Sequence, residues 1–268
     1  MTSLLIEPYE VYARKRWAHL SSHMLADFRK SPAIYKARYD GELDEPDSAA
    51  LSFGRAFHTL ILEGEEKLRE LYAYNNYPIN DKTGQPYGVT TKTVIDWAGD
   101  KTPIHPDMIR QMFAMDLSIR KHDCAQRIFS DGVAEGVCRG EYCDMPCQAR
   151  IDWVRDYPRQ GFSACVDLKT CTNLDDFERD IKQFGYIYQM AFYVAMLHFV
   201  AKIESVPLIV AVEKSPPYRV GVWAIDPAIL QKAINDNEQA IRELKSCQEN
   251  NTWPTGYECL RVIEEEMK

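Results

Sequence analysis

The pattern of apolar and polar positions divides the chain into an early helical part, a central run of strands and a closing helix. Residues 21–39 read as a helix that Ser21 or Ser22 can cap, with Leu25, Phe28 and Tyr35 on its apolar side. Pro32 should kink or divide it. Residues 41–48 are polar and turn-rich, and a second predicted helix, 49–62, ends at Glu63-Gly64. Pro78, Gly84, Pro86, Gly88, Gly99 and Pro103 predict mostly loop between 74 and 104, a length that points to function or disorder. Pro106 opens a further helix, with Ile109, Met112, Phe113 and Leu117 at helical spacing.

The period then shortens. CQARIDWVR (147–155) and FSACVDLKT (162–170) alternate as strands, and the Pro and Gly of DYPRQG between them predict an antiparallel pair. A helical stretch from about 174 to 203, interrupted near Gly185, precedes two more strands, VPLIVAVEK and RVGVWAID, on either side of SPPY. Asp226 caps and Pro227 starts a last helix reaching Ser246. This order predicts an α/β fold with a mixed sheet and helices packed on it. The expected organisation is one domain over 1–268: helices to about 130, catalytic sheet and helices to about 248, then a tail.

Composition changes this picture little. No apolar run approaches the roughly 20 residues of a membrane helix, and the first residues lack the order of a signal peptide, so a cytoplasmic protein is expected. None of the eight cysteines forms a CxxC pair, which argues against structural zinc and for reduced thiols. The net charge of −8 gives no support to nucleic-acid binding and by itself favours a small-molecule enzyme. A metal-dependent nuclease can still be acidic, because its carboxylates hold cations and its basic groups can gather on one surface.

Candidate chemistry lies on the first two strands. Residues two apart share a face, so Asp167 and Lys169 project together while Val166 and Leu168 point inward. Arg150 and Asp152 likewise share a face, with Ile151 and Trp153 opposite. Paired in the natural register, these strands bring together two carboxylates, an ammonium and a guanidinium, a set suited to Mg²⁺ and phosphate. A lysine beside the metal can orient or deprotonate water, since desolvation eases loss of its proton. The same D-x-K also describes a surface salt-bridge ladder. Downstream, Tyr186, Gln189 and Tyr193 share one helical face. An aromatic stripe is ordinary core, but a buried Gln189 needs partners. His58 among Phe57, Leu60 and Ile61 also reads as a satisfied core histidine, and Glu135 beside a glycine is uninformative alone.

As an ordered set, these motifs resemble a family. L-S-F-G-R-A-F-H-T-L-I-L-E-G, A-E-G-V, A-R-I-D, D-L-K-T and Y-x-x-Q-x-x-x-Y are similar to the nuclease domain of RecE-type exonucleases (exodeoxyribonuclease VIII), PDDEXK nucleases of the RecB type. S-S-H-M-L-A-D-F-R-K-S-P-A-I-Y resembles the opening helix of RecB-type nucleases, and Thr252–Pro254 also has a RecE-like counterpart. The likeness runs from about Ser21 to Pro254. It implies a restriction-endonuclease-like core with extra N-terminal helices. His58 and Asp152 would be metal ligands, Asp167 the carboxylate shared between two Mg²⁺ ions (Mn²⁺ substituting), and Lys169 the catalytic lysine. Gln189 and Tyr193 would position phosphate or the lysine, Glu135 would lie near the DNA end, and Arg150 and Tyr186 would contact substrate. D-x-K replaces the wider superfamily's E-x-K, and only Cys247 and Cys259 follow the Q-x-x-x-Y element, too few for an iron–sulfur cluster.

The implied activity is ATP-independent degradation of duplex DNA from 5′ ends, leaving 3′ tails for annealing; no G-x-x-x-x-G-K-[ST] occurs. The implied partners are double-stranded DNA ends, a RecT-type annealing protein, and copies of the chain in a ring of three or four. The ring would retain DNA without a strongly basic surface, Arg14, Lys15 and Arg16 either lining its channel or forming a solvated charge run. Two alternatives remain: a related nuclease acting on single strands or flaps, and a non-catalytic DNA-binding scaffold.

Overall fold

The computed structural model describes residues 4–43 and 49–262. Five strands form one mixed sheet in sequential order: β3 (Val133–Tyr142), β4 (Met145–Tyr157), β5 (Phe162–Cys171), β6 (Ser205–Glu213) and β7 (Val220–Ala224). The β3–β4, β4–β5 and β6–β7 pairs are antiparallel, and β5–β6 is parallel. A parallel pair needs a crossover. Helices α9 (Phe177–Gln183) and α10 (Tyr186–Met196) supply it, and the paired helical segments bend by 66° where Gly185 takes φ +70°.

Helices cover both faces of the sheet, so the core has two halves. Helices α2 (Ser22–Lys30), α3 (Pro32–Tyr39), α10 and α11 (Pro227–Asn250) contribute Leu25, Phe28, Tyr35, Met190, Ile241 and Leu244 to one. Helices α4 (Ala49–His58), α7 (Pro106–Lys121) and α8 (Asp123–Phe129) contribute Phe57, Met112, Met115 and Ile128 to the other. This is the expected α/β architecture, a mixed sheet with flanking helices and extra helices before it. Pro32 divides the first predicted helix as anticipated, Ser21 capping α2 by accepting from the Met24 amide. Asp226 caps α11 through the amides of Ala228 and Ile229.

The segment 74–104 is mostly loop as predicted, holds the short helix α6 (Lys92–Ala98), and is closed by a short parallel pair, β1 (Tyr72–Ala73) with β2 (Thr102–Pro103). Two departures bear on the site. Strand β3 was not anticipated, because its two glycines and scattered charges break the alternation by which strands are read; its outer edge is instead paired with Leu5 through both backbone bonds to Val137. The helix α4 continues past His58 as a π-helical turn, Thr59–Glu63, a departure from the 3.6-residue period that often marks functional sites. After α5 (Glu65–Leu71) the chain enters β1.

Candidate metal centre

The site forms where two central strands stop pairing. The β4–β5 ladder runs from Tyr157↔Phe162 to Trp153↔Val166 and ends there. At the next position the Asp152 carboxylate replaces a backbone acceptor: its Oδ2 accepts the Leu168 amide at 2.8 Å. Across the sheet, the β3–β4 register also skips one position, between Ala134↔Trp153 and Gly136↔Ile151. The residue opposite Asp152 there is Glu135, whose φ of +53° is uncommon for a side chain with a Cβ. Such a backbone costs about 1–3 kcal/mol and persists where its surroundings enforce it.

This irregularity corrects the simple two-residue alternation. Ile151 and Trp153 do not share a face: Ile151 lies in the half-core of α2 and α10, whereas Trp153 packs with α8 in the other. The face switches at Asp152. Val166 and Leu168 do point inward together, into the half-core of α4 and α7.

Three ligand-type atoms, one each from His58, Glu135 and Asp152, lie within 4.8 Å of one another. His58 Nδ1 is 3.7 Å from Asp152 Oδ2. Asp167, fully buried, adjoins this group with both oxygens engaged: Lys169 Nζ is 2.6 Å from Oδ2, and Gln189 Nε2 donates to Oδ1 at 3.0 Å. Gln189, half-buried, also donates to the Tyr193 hydroxyl at 2.9 Å, so its amide finds its partners on the site's own residues. The Lys169 ammonium lies 4.8 Å from the Tyr186 ring centroid, within cation–π range. Arg150 Nε is 3.0 Å from Glu135 Oε2, and its guanidinium faces the Tyr9 ring at 5.3 Å. All nine residues singled out in the sequence therefore meet in one region.

The electrostatics follow from crowding carboxylates in a poorly solvated place. Burial, and then the charge of Asp152, push Glu135 up to about 8 against the pull of Arg150. Burial raises Asp167 to about 6, with Asp152 adding to the shift and Lys169 opposing it. Burial alone would lower Lys169, but Asp167 and Asp152 outweigh it and hold the ammonium above its ordinary value. In the metal-free protein, therefore, desolvation does not free this lysine of its proton: two carboxylates at close range overcome the cost of burying the cation.

Residues 21–265 match the family described as a PDDEXK-like domain of unknown function (DUF3799). The chain belongs to this family. The crystal structure of a candidate exonuclease from Eubacterium rectale aligns with 98% of this chain and 97% of its own, at TM-score 0.68 and 14% identity, a likeness of fold. A second solved structure, SSO0001, covers 49% of this chain and 59% of its own at 14% identity, and its TM-score of 0.28 is too low to bear on the fold. No curated protein matches.

The donor set of the PDDEXK-like domain fits a divalent cation. One imidazole and two carboxylates offer N and O atoms converging within 4.8 Å, and Glu135 is raised first by burial and then by the neighbouring Asp152 charge, which a cation would offset. The close trio differs in one member from the set the motifs imply: Glu135 stands with His58 and Asp152, while Asp167 lies behind on Lys169 and Gln189. Sequence reasoning overlooked Tyr9, which flanks Arg150, and Glu63, whose charge helps to raise Glu135. For Glu63 the signal was hidden, because the π-helical turn that brings it back leaves no trace in a 3.6-residue pattern.

Proposed function

We propose that this PDDEXK-like domain is a divalent-metal-dependent DNA exonuclease that degrades duplexes from 5′ ends without ATP and leaves 3′ single-stranded tails. The observation that carries the reading is the parting of β4 and β5 at Asp152, which sets Asp152, Asp167 and Lys169 beside His58 and Glu135 in a nuclease fold. The name of the Eubacterium rectale relative is in keeping with an exonuclease. Polarity and end preference rest on the RecE-like order of the motifs.

His58, Glu135 and Asp152 would hold a first ion, and Asp167 would be the carboxylate shared with a second. Mg²⁺ is the natural ion, with Mn²⁺ substituting. When bound, such ions would supply Lewis-acid polarisation of a phosphate oxygen and a more acidic water. The protein's own groups position the reaction. Lys169, protonated, donates to a scissile phosphate oxygen or orients the attacking water, and Gln189, tied to Tyr193, fixes the Asp167 carboxylate. Arg150, braced by Glu135 and Tyr9, contacts a neighbouring phosphate, and Tyr186 lies against Lys169 beside the substrate.

The proposal extends to assembly: a closed ring of three or four chains in the cytoplasm, retaining duplex DNA topologically, and a RecT-type annealing protein receiving the tail. Its acidic balance favours such retention over a broadly basic surface. Duplex labelled at either the 5′ or the 3′ end, incubated with Mg²⁺, tests the activity. Early release of the 5′ label and none without metal is expected. Faster release from single strands or flaps would favour the related nuclease instead, and no release from any substrate would leave the scaffold. Light scattering should give three to four times the chain mass of 30.9 kDa; a monomer would remove the ring.

A further inference from the structure

Leading away from the site is a surface that the catalytic reading does not use. Helix α1 (Tyr9–Arg14) starts with Tyr9 against Arg150 and ends, about 9 Å along its axis, in a 3-10 turn, Lys15–Trp17. That turn packs on α3: Trp17 and Tyr39 meet edge to face at 5.7 Å, and the Tyr39 hydroxyl donates to the Trp17 carbonyl at 3.3 Å. Both rings are large and open to solvent, 46% and 42% exposed. Behind them the stack continues through Tyr35, 6.0 Å from Tyr39, to Trp253, a further 5.8 Å away, with Lys36 facing the Trp253 ring.

The charge of this region is opposite to that of the whole. Between Tyr9 and Tyr39 stand seven Lys and Arg residues and two acidic ones, in a chain of net charge −8. Arg14 is exposed with its side chain turned onto the Glu10 carbonyl, Arg16 lies 4.4 Å over Trp17, and Lys30 is exposed. Lys15, Arg38 and Lys36 do pair with Glu7, Asp27 and Asp40. Exposed rings framed by cations suit one class of polymer, single-stranded nucleic acid: phosphates meet Lys and Arg, and unpaired bases stack on rings they cannot reach from inside a duplex. A protein partner would not need positive charge concentrated around the rings.

We infer that the Arg14–Trp17 turn and Tyr39 form a single-strand track, running from the metal centre and holding the unpaired strand next to the scissile end by stacking and phosphate contact. This rests on the nuclease reading for its place in the reaction, but strand binding can be measured without it.

The test uses fluorescein-labelled oligo-dT and a duplex of equal length, followed by anisotropy in EDTA, with wild type, Trp17→Ala/Tyr39→Ala and Arg14→Glu. Wild type is expected to bind oligo-dT with an affinity that falls as salt rises, and the double variant to lose about tenfold or more. Arg14→Glu, at an exposed position, should weaken binding and flatten the salt dependence; it decides the matter if the double variant does not fold. Hydrolysis of bis-p-nitrophenyl phosphate, too small to reach the track, should be the same in all three proteins. Oligo-dT binding absent in wild type, or unchanged in both variants, would overturn the track. Equal losses for oligo-dT and duplex would overturn its single-strand character. If wild type binds oligo-dT, the variants do not, and nothing is hydrolysed, the track stands and the nuclease reading falls.

Discussion

Asp152 Oδ2 accepts the backbone amide of Leu168 at 2.8 Å, standing in for the strand partner that β5 lacks there. One carboxylate thus closes the sheet's buried hydrogen-bond account and faces His58 and Glu135. The two duties separate by substitution. Asp152→Ala leaves a buried amide unsatisfied and should cost about 1–3 kcal/mol of stability. Asp152→Asn keeps an acceptor oxygen, so its stability should stay within ~1 kcal/mol of wild type. Both should lose DNA hydrolysis. Urea unfolding beside the end-label assay reads both effects, and equal stability losses would show that the Leu168 bond contributes little.

Asp167 and Lys169 should fail differently. Asp167→Ala and Asp167→Asn remove a carboxylate and should abolish cleavage; activity within threefold of wild type would exclude Asp167 from the site. Lys169→Ala should lose at least ~100-fold in rate, a typical general-acid or positioning effect, while calorimetry still detects Mg²⁺ binding. Metal affinity lost as fully as in Asp167→Ala would make Lys169 a support of the metal site instead.

Metal binding should release protons. Glu135 is raised to about 8 and Asp167 to about 6 without an ion, so near pH 7 an incoming cation displaces a proton and affinity climbs with pH up to about 8. The folded metal-free protein holds these protons more tightly than the unfolded chain does, so stability is lost as pH rises, from about 4.5 towards 8 for Glu135 and from about 3.8 towards 6 for Asp167. Glu135→Gln removes one such cost and should stabilise the metal-free protein by roughly 1 kcal/mol or more at pH 8, with no gain at pH 4. Titrations in buffers of different ionisation enthalpy check the proton count. Release unchanged in Glu135→Gln would point to another group.

A second acid-sensitive element lies away from the site. Glu213 accepts from Arg219 and from the Leu174 amide, and chiefly the Arg219 contact lowers its carboxyl to about 2. A depressed carboxyl stabilises the fold above its unfolded value, near 4.5, and that contribution disappears as pH falls through about 2. Arg219→Ala should therefore lower Tm at pH 7, with the gap to wild type narrowing steadily below pH 4. A gap independent of pH would assign the loss to packing.

The sequence by itself determined the regular parts. Helix starts at Pro32, Pro106 and Pro227, the antiparallel β4–β5 pair and the inward Val166 and Leu168 were legible because capping, proline geometry and alternation act over a few residues. The D-x-K spacing likewise set Asp167 beside Lys169, since a strand leaves no other choice. Tertiary structure decided where regularity fails. Glu135 reaches the metal centre through a backbone at φ +53°, Ile151 and Trp153 part at Asp152, and a π-helical turn carries Glu63 towards the site. None of these follows from local preference, which disfavours them; packing from both faces of the sheet must hold them in place. Lys169 shows the same division. Its position was readable two residues from Asp167, but its charge depended on Asp152, distant in sequence and close in space, whose field helps to outweigh the cost of burial.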